Sequence, residues 1–170
     1  EKAGFEADDM LGTIVEQVKK EKNLKTIIAS GDMDTLQLVD GKKVLVYTLK
    51  KGINDTVLYD EKGVLGRFGF GPLQVTDYKG LRGDPSDNIP GIKGIGEKLA
   101  ERIVNHFKER TLEILDNNPD ELSNVPGLGA SKIEELKTIW VNKKEEREVI
   151  IFFQNHGISL SIARKIYTIY

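Results

Sequence analysis

Cysteine is absent from the 170 residues, and histidine occurs only twice. Neither a disulfide nor a thiolate-bound metal is therefore possible, and any metal ion must be held by oxygen or by those imidazoles. The lack of cysteine fits a reducing cytosol. No apolar run approaches the ~18 residues of a membrane span, and no charged-then-apolar leader is present, so neither a membrane nor a secretory route is expected. Surplus positive charge is missing too: the formal net charge is −2. A nucleic-acid partner would need a local basic patch. Residues 1–90 carry 13 basic and 15 acidic side chains, and residues 91–170 carry 12 of each. If the acids of the first half gather in one pocket, divalent cations can neutralise them before an anionic substrate arrives. What is present, 39% apolar and 31% charged residues, suits one globular domain or two small ones.

The most informative stretch is residues 82–100, RGDPSDNIPGIKGIGEKLA. Asp84 and Asp87 stand three apart among Gly, Pro, Ser and Asn, which places them on a loop or first helical turn. A tight Gly-Ile-Gly turn follows at residues 94–96, and then an amphipathic helix. Glycines allow a sharp turn and close approach, and the turn opens onto a helix N-terminus, which favours a phosphate. Carboxylates beside such a turn point to metal-dependent chemistry on a nucleic-acid backbone; a capped turn joining two helices is the plainer alternative.

Along the chain, Met10, Leu11, Ile14, Val15 and Val18 repeat at helical spacing behind the acids Glu6, Asp8 and Asp9, which the helix dipole favours there. Residues 26–30 read as a buried strand, followed at once by Asp32 and Asp34. Ligands in α/β sheets bind beyond the carboxyl ends of strands, and two acids two apart on a loop can reach one hard cation. One of them can equally be the N-cap of a helix over residues 35–39. Residues 43–48 and 56–59 read as strands with a hairpin-like turn at 50–52, and residues 62–72 as a glycine-rich surface loop. Phe68 and Phe70 are expected to cover the core rather than stack on bases. A short helix is expected at 75–81. Beyond residue 100 all is helical, and residues 122–132 repeat the pattern of apolar residue, Pro-Gly turn, Gly-x-Gly and basic helix start, about 33 residues after the first. Ile133, Leu136, Ile139 and Trp140 form one buried helix face. Separate helices at 145–153 and 160–170 flank a turn at 156–159, as a third, degenerate unit, with His156 as a helix C-cap.

Four motifs carry a resemblance: EADD at residues 6–9, ASGDMD at 29–34, LKKGIND at 49–55 and DYKGLRGDPSDNIPGIKGIGEKLA at 77–100. Residues 1 to about 100 resemble the 5′ nuclease domain of bacterial DNA polymerase I, relatives of the flap endonucleases. The resemblance implies a metal site of Glu6, Asp8, Asp9, Asp32, Asp34, Asp84 and Asp87, with Asp8, Asp34 and Asp87 closest to catalysis. It implies two Mg²⁺ or Mn²⁺ ions, and a K⁺ ion on the carbonyls of the 91–98 turn. From about residue 94 to 170 the chain is similar to the N-terminal helix-hairpin-helix region of RecD/TraA-like helicases. The likenesses overlap in the GIGEK turn, which leaves open a natural fusion, an engineered chimera or a misassembled sequence. In the nuclease family a strand with one aspartate and an arch with another precede these motifs, and a lysine is usual where Met33 stands; poor cleavage by this chain alone is the expectation.

The fold expected is therefore an α/β part over residues 1–90, a fragment of a PIN/5′ nuclease-like fold, followed by an all-α tandem helix-hairpin-helix region over 91–170. The function expected is that of a DNA-binding fragment of a metal-dependent 5′-3′ exonuclease or flap endonuclease, in a monomer of the bacterial cytoplasm and nucleoid. The alternative is a non-catalytic, sequence-independent module of a RecD-like helicase. DNA phosphates would meet Gly91, Lys93, Gly94, Gly96 and Lys98 in one turn, and Gly127, Gly129 and Lys132 in the other.

Overall fold

A computed structural model describes residues 7–49, 55–85 and 89–169. The apolar stripe behind the first acids winds into helix α1 (Ala7–Val18), with Val15 buried and Leu11 packed on the core. Three strands follow: β1 (Thr26–Ala29), β2 (Val44–Leu49) and β3 (Thr56–Tyr59). β2 is central, parallel to β1 and antiparallel to β3. Strand side chains alternate between faces. Ile28, Val44, Val46 and Tyr59 turn into the core, while Ile27, Tyr47, Leu49 and Leu58 lie exposed on the other face. The turn expected at 50–52 lies outside the described residues. After β1 a 3₁₀ turn, Met33–Leu38, buries Thr35 and Leu36 where a short helix is expected.

Residues 62–72 differ from expectation. Most of the supposed loop is helix α2 (Glu61–Phe68), started by Asp60, whose carboxylate accepts from Gly63 N–H, and ended by left-handed Gly69. Two good caps outweigh the propensity cost of two interior glycines. Phe68 and Phe70 stack with 5.3 Å between centroids and lean on Tyr78 of α3 (Val75–Arg82), covering the core as expected. Next comes a two-residue ladder, β4 (Gly83–Asp84) against β5 (Ile89–Pro90).

The helical part follows its apolar spacing. α4 (Glu97–Phe107) buries Ala100, Ile103, Val104 and Phe107. α5 (Thr111–Asn117) buries Ile114 and Leu115, and a 3₁₀ turn, Pro119–Asn124, leads to the second Pro-Gly turn. Ile133, Leu136 and Trp140 of α6 (Ala130–Asn155) are buried, and Trp140 Nε1–H donates to Asp116 Oδ1 at 2.9 Å. The helix expected separately at 145–153 is the continuation of α6. Residues 141–146, VNKKEE, hold no glycine or proline to stop it. His156 is the C-cap of α6, its Nδ1 2.8 Å from Phe152 O, and left-handed Gly157 turns the chain into α7 (Leu160–Ile169). A single cluster of buried side chains runs from Val15 through the sheet and α3 to Trp140. Among the described residues no helix is long and apolar enough to cross a membrane.

Candidate functional site

Asp32 and Asp34 look alike in sequence and do different work. Asp32 is the N-cap of the 3₁₀ turn: its Oδ1 accepts from Asp34 N–H at 2.9 Å, and its carbonyl accepts from Thr35 Oγ1 at 2.6 Å. The capping alternative holds for Asp32. Asp34 instead turns toward α3, where its Oδ1 lies 2.5 Å from Lys79 Nζ.

The same ammonium contacts Asp84 Oδ2, and Asp84 is buried at the end of β4. Lys79 thus bridges an acid that follows β1 and an acid that follows α3. Burial by itself would lower the Lys79 pKa, but the contacts to Asp34 and Asp84 outweigh it and hold the pKa above its ordinary value. Asp34 Oδ1 is buried, and the Lys79 ammonium is its close partner. Two carboxylates that meet at one partly buried point suit a hard divalent ion, which takes oxygen ligands.

The remaining acids are less gathered than expected. Asp8 and Asp9, in the first turn of α1, border a neighbouring pocket with Thr13, Thr35 and Gln37. Among the described residues no three carboxylates or imidazoles converge as a metal cluster. Glu6 and Asp87 lie outside the described residues. Lys79 was not among the expected site residues. Its signal is its position on α3, between buried Tyr78 and Leu81 on one side and the GD pair on the other.

The glycine turns form a second feature. Gly94 (φ 84°) and Gly127 (φ 75°) are left-handed, a backbone state that other residues adopt only with strain. Gly96 and Gly129 are the helix N-caps of α4 and α6, with φ of −88° and −80° that any residue can adopt, and space is open at both positions. The turns brace each other. Arg102 of α4 donates from Nη1 to Pro126 O at 2.9 Å, and its guanidinium fills the space a side chain at Gly127 would need. Lys132 and Glu135 of α6, 2.8 Å apart, stand in the same way against Gly94.

Of the expected phosphate contacts, Lys93, Gly94, Gly96, Lys98, Gly127 and Gly129 are exposed and Lys132 is half-buried. Gly91 has a packing reason of its own: an added Cβ would run into the carbonyl group of Arg82 and the nitrogen of Gly83. In the first turn, where potassium is expected, Ile92 O already accepts from Ile95 N–H.

Comparison with known proteins matches residues 1–69 to the model of the 5′-3′ exonuclease N-terminal resolvase-like domain, and residues 70–144 to that of the 5′-3′ exonuclease C-terminal SAM fold. DNA polymerase I of Caldicellulosiruptor bescii is 43% identical over 123 residues, 71% of this chain and 14% of the relative. The Mycobacterium tuberculosis DNA polymerase I is 36% identical over 124 residues, 73% of this chain and 13% of the relative. Among solved structures, a mutant of the T5 5′-exonuclease superposes with a TM-score of 0.62 at 27% identity, over 81% of this chain and 51% of that one. The bacteriophage T5 flap endonuclease in a pseudo-enzyme–product complex with DNA and metal ions gives 0.63 at 26% identity, over 81% and 46%. The chain thus spans about one seventh of these curated relatives and about half of the solved ones. The two matched models run through residue 144 without a break, so one family accounts for the second glycine turn as well as the first.

Proposed function

Because residues 1–144 belong to the 5′-3′ exonuclease family, homologous to the exonuclease domain of DNA polymerase I and to the T5 flap endonuclease, we propose that this chain is the DNA-gripping part of a metal-dependent, structure-specific 5′-3′ exonuclease or flap endonuclease. The observation that carries the reading is the meeting of Asp34 and Asp84 around one cationic group. In this reading Asp34 and Asp84 hold a divalent ion, Mg²⁺ or Mn²⁺, and Asp8, Asp9, Asp32, Glu6 and Asp87 complete or orient a two-ion site. Such ions, when bound, activate water and stabilise charge on a phosphodiester. Asp32 contributes by fixing the backbone that aims Asp34, and Asp84 by its place in a ladder packed against the first turn.

The paired turns are read as tandem helix-hairpin-helix units, each offering backbone amides and a nearby cation to a DNA phosphate. Such contacts ignore base identity. A potassium ion on the first turn would share it with the Lys132 ammonium. The site of action proposed is the bacterial cytoplasm and nucleoid, one chain to each DNA junction. The helicase-like alternative, expected over about residues 94–170, has no support in the matches, which assign residues 70–144 to the exonuclease family.

The test is fluorescence anisotropy with a 5′-flap DNA at several salt concentrations, for the wild type, Gly96→Asp and Gly129→Asp. Aspartate is a good N-cap, and both positions have ordinary φ and open space, so folding should be intact. The new charge would oppose a phosphate. Wild-type affinity is expected near micromolar, with a slope of roughly −0.9 in log K against log salt for each phosphate neutralised. Both variants should bind several-fold more weakly. Binding independent of salt, or unchanged in both variants, would refute the phosphate reading.

A further inference from the structure

We propose that Lys79 is a resident counter-cation of the Asp34–Asp84 pair, holding the two carboxylates together before a divalent ion arrives and competing with that ion for them. The proposal rests on the metal reading above and goes beyond it, because it gives a role to a residue that reading leaves out. Lys79 Nζ touches both carboxylates, which come from distant parts of the chain. Two like charges in a partly dry site repel, and a cation between them removes that repulsion. Asp34 Oδ1 is buried with the ammonium 2.5 Å away, so the oxygen a divalent ion would need is already engaged by Lys79.

Lys79 is built to leave. Its side chain is 25% exposed, and its flexible four-carbon stem can carry the ammonium to water while α3 stays in place. Arg82, one helical turn on, is the control supplied by the fold. It is a cation on the same helix, but it pairs with Glu97 at 3.8 Å and lies over the Tyr78 ring. Removing either cation lowers the positive charge of the region; removing Lys79 alone also vacates the space between the carboxylates.

The experiment measures Mn²⁺ binding directly, by electron paramagnetic resonance titration of the whole chain without DNA, for the wild type, Lys79→Gln, Arg82→Gln and Asp34→Asn. Lys79→Gln should bind Mn²⁺ about tenfold more tightly, within the range usual for coupling between two ligands. It should melt lower than wild type without metal and gain more melting temperature from Mn²⁺. Arg82→Gln should change affinity less than about threefold, and Asp34→Asn should bind more weakly than wild type. Equal or weaker binding by Lys79→Gln overturns the proposal while leaving the metal reading intact, and so does an equal gain from Arg82→Gln. Failure of both wild type and Lys79→Gln to bind removes the metal reading and the proposal together. If Lys79→Gln does not fold, the wild type answers alone. The ¹³Cε signal of Lys79, assigned by its loss in Lys79→Arg, should move to a solvent-like position as Mg²⁺ saturates, and an unmoved signal overturns the proposal.

Discussion

Asp32 shows how one residue type serves two purposes in adjacent places. Its side chain caps the turn that aims Asp34, so truncation and neutralisation should separate. Asp32→Ala should cost about 1 kcal/mol of stability, whereas Asp32→Asn, still a good cap, should cost a few tenths. Chemical denaturation of the two variants reads the difference. Asp77 makes a different residue-scale case. Burial raises its pKa in the cleft it lines with Trp140 and Ile150. The folded state therefore binds the proton more tightly than the unfolded state, and stability should fall as pH rises from about 3.8 through the elevated pKa. Asp77→Asn should flatten that slope, which thermal melts across the acid range would show; an unchanged slope would mean Asp77 is not the group responsible. That Asp8 and Asp9 open a helix and that Asp32 and Asp34 follow a strand was legible in the sequence, because strand ends and helix starts are visible in patterning. Which of Asp32 and Asp34 would cap was not, since either spacing permits it. Lys79 was hidden for a related reason: a lysine on a short helix reads as solvated until the partner strand brings an acid to it.

Among the elements, those with clean periodicity were readable: α1, the strands β1 to β3, α3, α4, and the face of α6 made by Ile133, Leu136 and Trp140. The misread ones turned on punctuation. Glycines at 63 and 66 suggested a loop where the Asp60 and Gly69 caps enforce α2, and a charged run suggested a break where α6 continues. The ladder of β4 and β5 is too short for any pattern to announce. It depends on close backbone approach, for the built Cβ of Gly91 would fall 2.2 Å from the carbonyl oxygen of Arg82. Backbone cannot yield there as a side chain can. Gly91→Ala should therefore destabilise the chain by about 3 kcal/mol, seen as a lower denaturant midpoint, and should displace Asp84 even though it adds no charge. A midpoint within experimental error of wild type would show that the ladder can open freely.

For the molecule as a whole, the two sheet faces differ: among the described residues one is buried, whereas four apolar side chains of the other are about half-exposed. Ile27, Tyr47, Leu49 and Leu58 are 55%, 42%, 51% and 49% exposed, and Tyr47 stands opposite Leu58 across the antiparallel pair. Half-exposed apolar side chains on one sheet face offer a place for an apolar probe. The chain should therefore enhance the fluorescence of an apolar dye such as ANS while fully folded, and Leu58→Lys should reduce that signal with little change in stability. No dye binding by the folded wild type would mean the face is closed in solution. The helical end behaves in the opposite way, because its two turns are fastened to each other: Arg102 reaches from the first unit to Pro126, and Lys132 and Glu135 of the second stand against Gly94. Jaws fixed at one opening act as a gauge. For turns that grip phosphates, a backbone whose phosphate spacing fits that opening is held without further adjustment by the protein. On the proposed reading, one that does not fit must itself bend, and the stiffness of the DNA then enters the choice of substrate.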